Sequence, residues 1–140
     1  MLELNRTEAT GMLYVGTDII EIARIKNAAQ KNPAFMDRIL TAREKEHRPD
    51  RGDFAPFLAG RFAAKEAVLK CLGVGLSRLS WHDVEIIPDE LGAPQVLFKE
   101  AALAILSKKG LKSVKVSISH SRDYAVAVAV GEGNHEDNNR

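Results

Sequence analysis

At 140 residues and 15.4 kDa the chain is long enough for one domain with a single sizeable core and too short for two. Its 45% hydrophobic and 28% charged residues exclude a wholly disordered class, and no apolar run approaches the ~20 residues that span a bilayer. A net charge of +1 gives no case for nucleic acid, and a single cysteine excludes a disulfide framework and a cysteine zinc cluster. The first eleven residues hold no apolar signal region, so the expectation is a cytoplasmic protein with no membrane association.

Residues 1–11 lack periodicity and are expected to form a flexible extension ahead of a single domain over 12–131. Residues 13–20 read as a strand, with Leu13, Val15, Thr17 and Ile19 on one face and Tyr14, Gly16, Asp18 and Ile20 on the other. Asp18 at the strand's end either caps the next helix or faces a cleft, and both readings stand on sequence alone. That helix, about 21–31, turns Ile22, Ile25 and Ala29 inward and Arg24, Lys31 and Ala28 outward, and it stops at Asn32-Pro33. A short helix over 34–40 follows, and then Thr41 with Glu44 forms a capping-box pattern that opens another short helix. Between residues 22 and 52, eight Lys and Arg face four Asp and Glu. This local excess of positive charge is either a solvated surface or a docking face for an acidic partner.

Residues 54–72 predict the long central helix, with Asp53 as N-cap, Pro56 tolerated in the first turn and Gly73 as the stop. Phe54, Phe57, Leu58, Phe62, Val68, Leu69 and Leu72 share one broad face, and Gly60, Ala64, Ala67 and Cys71 form a narrow stripe opposite. A helix packed on both sides should hold few charges, yet Arg61, Lys65, Glu66 and Lys70 fall in ten residues. Either they form a charged rim, with Glu66 paired to Lys70 at i,i+4, or they line a site for a phosphate-bearing ligand. Beyond the helix, the glycines at 73 and 75 cap and bend the chain. Strands near 83–87 and 95–98, a helix over 100–109 and a hairpin of 114–119 with 124–130 follow, and an apolar-free tail over 132–140 is expected to be disordered. The predicted class is α+β, a mainly antiparallel sheet packed around the central helix.

Cys71 sits on the small-residue stripe and reads as a packing residue. His47, His82 and His135 have no metal-ligand spacing and read as surface groups, whereas His120, just after Ser117 and Ser119 at a strand end, can reach a site. Asp18 and Glu66 suit Mg²⁺, which prefers oxygen ligands, and Arg61, Lys65, Lys70 and His120 could hold the rest of a polyphosphate.

Val15-Gly16-Thr17-Asp18 and Phe62-Ala63-Ala64-Lys65-Glu66-Ala67-Val68-Leu69-Lys70 together resemble the two signature motifs of the 4′-phosphopantetheinyl transferases. Gly60-Arg61, Leu72-Gly73-Val74-Gly75 and Ser117-Ile118-Ser119-His120 agree with the same pattern. The resemblance implies transfer of 4′-phosphopantetheine from coenzyme A to a serine of apo acyl carrier protein, in support of fatty acid biosynthesis, with release of adenosine 3′,5′-bisphosphate. It implies Mg²⁺ on Asp18 and Glu66, and Glu66, or a metal-bound water beside it, taking the serine proton. It assigns phosphate charge to Lys70, gives coenzyme A contacts to Arg61, Lys65, Ser119 and His120, and makes Arg24, Ala28 and Lys31 the docking face. Members of this length are expected to be homotrimers with sites between subunits.

Overall fold

Alternating apolar residues build the main sheet of the computed structural model, which describes residues 11–134. Strand β1 (Gly11–Glu21) pairs antiparallel with β5 (Tyr124–Asn134), in register from Gly11 opposite Asn134 to Glu21 opposite Tyr124. Strand β4 (Leu111–His120) flanks β5 on its other side, also antiparallel, giving the order β1-β5-β4. The inward row of the central strand is Ala125, Ala127, Ala129 and Gly131, all buried. A strand with so little side-chain bulk leaves room for a helix to lie close.

Helix α4 (Ala55–Leu72) occupies that room. A methyl group added at Gly16 would lie 2.0 Å from the carbonyl oxygen of Ala67 and 2.5 Å from the amide of Cys71, and one added at Gly131 would lie 3.0 Å from Cys71 Sγ. The small-residue stripe is therefore the sheet-facing side. On the other sides Leu58 packs with Ile22, Ile25, Ile39 and Leu40, and Val68 and Leu72 pack with Leu79, Val84, Ile86 and Leu106. Twelve of the 18 residues of α4 are buried, so the helix is core all round, as its two-sided pattern predicts. Asp53 Oδ1 accepts from the amide of Ala55 at 2.9 Å at its start. Gly73 ends it at φ 71°, a left-handed conformation that favours glycine, with the amide of Val74 donating to Leu69 O at 3.1 Å.

Helices α1 (Ile22–Lys31) and α2 (Phe35–Ile39) cover the first half of α4, and α3 (Ala42–Lys45) follows against β2 (Val84–Pro88). The capping box of α3 forms as predicted: Glu44 N donates to Thr41 Oγ1 at 3.2 Å, and Thr41 N donates to Glu44 Oε1 at 2.8 Å. After a 3₁₀ turn at Trp81–Asp83, strands β2 (Val84–Pro88) and β3 (Pro94–Phe98) form a hairpin around Asp89, which accepts from the amides of Leu91 and Ala93. Helix α5 (Glu100–Lys109) leads into β4.

Two expectations need correction. The strands form two sheets rather than one, since among the described residues β2 and β3 pair only with each other; periodicity locates a strand but does not choose its neighbour. The last strand runs beyond residue 131 into the expected tail, because Gly131, Glu132, Gly133 and Asn134 continue the ladder against β1. Backbone pairing needs no apolar side chains, and the bare Cα of Gly133 admits Gly110 O, which a methyl group there would approach to 2.8 Å. Gly11 likewise belongs to β1; the remaining extension and tail lie outside the described residues. Among the described residues no helix is long and apolar enough to cross a membrane.

Candidate active site

Asp18 faces α4 because it shares the inward row of β1 with Gly16, where helix and strand touch. Lys70, in the last turn of α4, reaches across and donates from Nζ to Asp18 Oδ1 at 3.2 Å and to Thr17 O at 3.0 Å. The Asp18 side chain is 15% exposed and that of Lys70 is 55% exposed, so an acid held in the wall meets a cation open to solvent. Glu66 lies one turn earlier on the helix and is half-buried. Its pKa is raised, first by burial and then by the Asp18 carboxylate, while Lys70 opposes the shift.

Two specific alternatives do not form: Asp18 as a helix cap, and Glu66 paired to Lys70. Asp18 caps no helix: Glu21 holds the N-cap position of α1 and makes no side-chain cap bond. Nor does Lys70 bridge to Glu66; it bridges to Asp18, which leaves two carboxylates close enough to raise one pKa. Repulsion of that kind is what a divalent cation relieves, and two oxygen donors with an open side suit Mg²⁺. No group of three or more His, Cys, Asp and Glu gathers among the described residues, and Mg²⁺ does not require one.

Lys65, which the resemblance gives to coenzyme A, is elsewhere. It is 1% exposed, and its ammonium donates to Glu44 Oε1 at 2.6 Å, Ile39 O at 2.6 Å and Trp81 O at 3.0 Å, so all three of its donors are used. Burial lowers its pKa, and Glu44 opposes that shift. Ser119 is displaced as well. It is exposed and alternates with Ile118 and His120, which meet α4 at Gly60, so it belongs to the opposite face of the sheet from Asp18.

His120 Nε2 donates to Pro56 O at 2.9 Å. It bonds to α4 at Pro56 near the start of the helix, whereas Asp18 bonds to Lys70 near its end, a span of about 21 Å at the ~1.5 Å rise of a helix. Arg61 is half-buried with its guanidinium 4.7 Å over the Phe57 ring, and its Nε is buried without a partner. Burial lowers its pKa, against the pull of Glu44. Arg24 and Lys31 are exposed and Ala28 is half-buried along one side of α1. Beside them a groove of about 470 Å³ has Ala29, Met36 and Phe54 for its apolar part and Lys45 and Arg48 among its charges. Cys71 is buried with its thiol pKa raised by burial and its Sγ donating to Tyr14 O, a packing role as expected. His82 is half-buried and donates from Nε2 to Asp37 O at 2.7 Å, while His135 lies outside the described residues.

The residue that pattern reading missed is Glu44. Its capping-box place accounts for one of its bonds, and nothing in the local sequence shows that its carboxylate also takes Lys65 and the amide of Ile86. The only sequence signal was Lys65 itself, a cation on a helix that should be apolar throughout.

A family model described as the 4′-phosphopantetheinyl transferase superfamily matches residues 14–129, which hold the Asp18, Glu66 and Lys70 cluster. The chain belongs to that superfamily. A transferase relative from Caldanaerobacter subterraneus subsp. tengcongensis, a holo-[acyl-carrier-protein] synthase, is 48% identical over 121 residues, 86% of this chain and 95% of the relative. The crystal structure of the Neisseria meningitidis holo-[acyl-carrier-protein] synthase superposes with a TM-score of 0.77 at 36% identity, covering 84% of this chain and 96% of that one. The Bacillus anthracis holo-(acyl-carrier-protein) synthase in complex with CoA (3′,5′-ADP) gives 0.71 at 36% identity, covering 86% and 96%.

Proposed function

We propose that the chain transfers 4′-phosphopantetheine from coenzyme A to a serine hydroxyl of apo acyl carrier protein, releasing adenosine 3′,5′-bisphosphate. The observation that carries this reading is the Asp18, Glu66 and Lys70 cluster within a chain 48% identical to a holo-[acyl-carrier-protein] synthase. In the reaction the serine oxygen bonds to the β-phosphorus of coenzyme A, the bond from that phosphorus to the bridging oxygen breaks, and the bridging oxygen leaves with the nucleotide. Glu66 takes the serine proton. Lys70 is held on Asp18 with its head open to solvent, and its charge offsets the growing negative charge of the phosphates. Asp18 and Glu66 would hold Mg²⁺, which neutralises pyrophosphate charge when bound. Arg61 and His120 contact the nucleotide.

The carrier, an acidic protein in this family's systems, docks on the basic side of α1. Three cations of the 22–52 segment are already paired, Lys26 with Asp53, Arg43 with Glu85 and Lys45 with Asp37. Arg24 and Lys31 have no ion pair among the described residues and are exposed. The outer sheet face supports the trimer: Leu13, Val15, Ile19, Val128 and Val130 are 37% to 71% exposed on adjacent strands, an apolar area that a second copy would cover. The protein is read as cytoplasmic, where such a carrier is modified. The deciding test is mass spectrometry of apo acyl carrier protein incubated with the protein and coenzyme A, with and without Mg²⁺. A mass gain of one phosphopantetheine that needs the metal supports the reading, and an unmodified carrier overturns it.

A further inference from the structure

Among the described residues, the most deeply buried charges lie outside the cluster just described. Glu44 and Lys65 are 0% and 1% exposed, and Glu85 beside them is 6% exposed. Every polar atom of the first two has a partner: Glu44 Oε1 accepts from Lys65 and Thr41, Glu44 Oε2 accepts from the amide of Ile86 at 2.8 Å, and Lys65 also takes Ile39 O and Trp81 O. Thr41 Oγ1 donates to Glu85 Oε2 at 2.6 Å, and Arg43 reaches Glu85 from the surface. His82 adds a bond to Asp37 O. The segment from Asp37 to Glu44 is thus fastened to α4 and to the 81–86 stretch by directional bonds at Asp37, Ile39, Thr41, Arg43 and Glu44.

An apolar side chain at position 65 would leave Ile39 O and Trp81 O unpaired in the interior, which is costly. One ammonium with three donors joins the backbone carbonyls of two separate segments and a carboxylate at a single point, and such bonds fix a register that interchangeable apolar contacts do not. The fastened segment carries Arg38, which is exposed and has no ion pair among the described residues, and Arg43. The seat of α4 is fixed independently, by its close approach to the sheet at Gly16, Gly60 and Gly131. Loss of the Lys65 to Glu44 bond therefore loosens the basic segment and leaves Glu66 where the sheet holds it.

We propose that Lys65 is a positioning residue for the carrier substrate: locked to Glu44, it sets the place of the 37–44 segment, and of its exposed Arg38, against α4. This rests on the transferase reading above. The test uses Lys65→Met/Glu44→Gln, which removes both charges together and so leaves neither buried alone, with apo carrier and coenzyme A varied separately. The expected result is a folded variant whose KM for the carrier rises about tenfold while KM for coenzyme A stays within about twofold. Arg38→Glu should weaken carrier binding in the wild type and add little in the double variant, since its position is already lost. Where that pair does not fold, Glu44→Asp keeps the charge, draws the bond back by one methylene and should give a smaller split of the same sign. An unchanged carrier KM in a folded variant, or an equal rise in both KM values, overturns the positioning role. A wild-type protein that modifies no carrier overturns the transferase reading itself, which separates the two failures.

Discussion

Glu66 shows at the scale of one residue how folding sets chemistry. A half-buried acid facing Asp18 binds its proton more firmly than in the unfolded chain, so stability falls as pH rises from the ordinary glutamate range to the raised folded value. Glu66→Gln removes a charge that the fold holds at a cost, and above that interval the variant should melt no lower than the wild type. Below it the two should converge, because both side chains are then neutral. Turnover should nonetheless drop at least ~100-fold, and similarly for Asp18→Asn, the scale of losing a general base or metal ligand. Thermal melts across pH beside initial rates at saturating Mg²⁺ check both halves. Near-normal rates in either variant would remove these carboxylates from the reaction. Local pattern singled out the two acids, one at a strand end and one on a packed helix, but left a helix cap and an ion pair open for them; their shared role came only from the family resemblance. Lys65 broke the pattern too, but for a structural reason, since a lone cation on an apolar helix does not reveal whether its partner is a ligand or a distant glutamate.

At the scale of elements, the contact of α4 with the sheet decides where the acids meet. At Gly16 the obstacles to a methyl group are backbone atoms, Ala67 O at 2.0 Å and Cys71 N at 2.5 Å, so helix and strand must separate. At Gly60 the nearest atom is His120 Nε2 at 2.7 Å, the far end of a side chain that can turn away. Gly16→Ala should therefore destabilise by about 1–3 kcal/mol or more and depress turnover, because it pushes Asp18 from Glu66. Gly60→Ala should keep most stability and act on coenzyme A binding through the displaced histidine. Chemical denaturation and KM for coenzyme A distinguish the two, and equal losses of stability would contradict this account. The long helix and the terminal hairpin were readable from periodicity, caps and turn residues. The strand order was not, because the antiparallel pairing of β1 with β5 joins residues more than a hundred positions apart, and no local pattern encodes that distance.

For the whole molecule the arrangement of charge and apolar surface matters most. Arg24→Glu should raise KM for the carrier well above its effect on KM for coenzyme A, and added salt should weaken carrier use, since exposed charges act mainly on association and are screened within about 10 Å at 0.1 M. Equal effects on both substrates would count against a docking face on α1. The flank of the Asp18 cluster matters here, because His120 of the same chain bonds to α4 at Pro56, ~21 Å along the helix from Lys70. A neighbouring copy seated on the apolar outer sheet can bring its own histidine to that flank. The expectation is that Glu66→Gln and His120→Ala chains, each impaired alone, regain activity when unfolded together and refolded as mixed oligomers, because some interfaces then join an intact Glu66 to an intact His120. Val128→Lys, which places a charge on the outer face, should dissociate the assembly and abolish that recovery. Mixed oligomers verified by tagged chains but no more active than their parents, or a monomer fully active at assay dilution, would place the whole site within one chain.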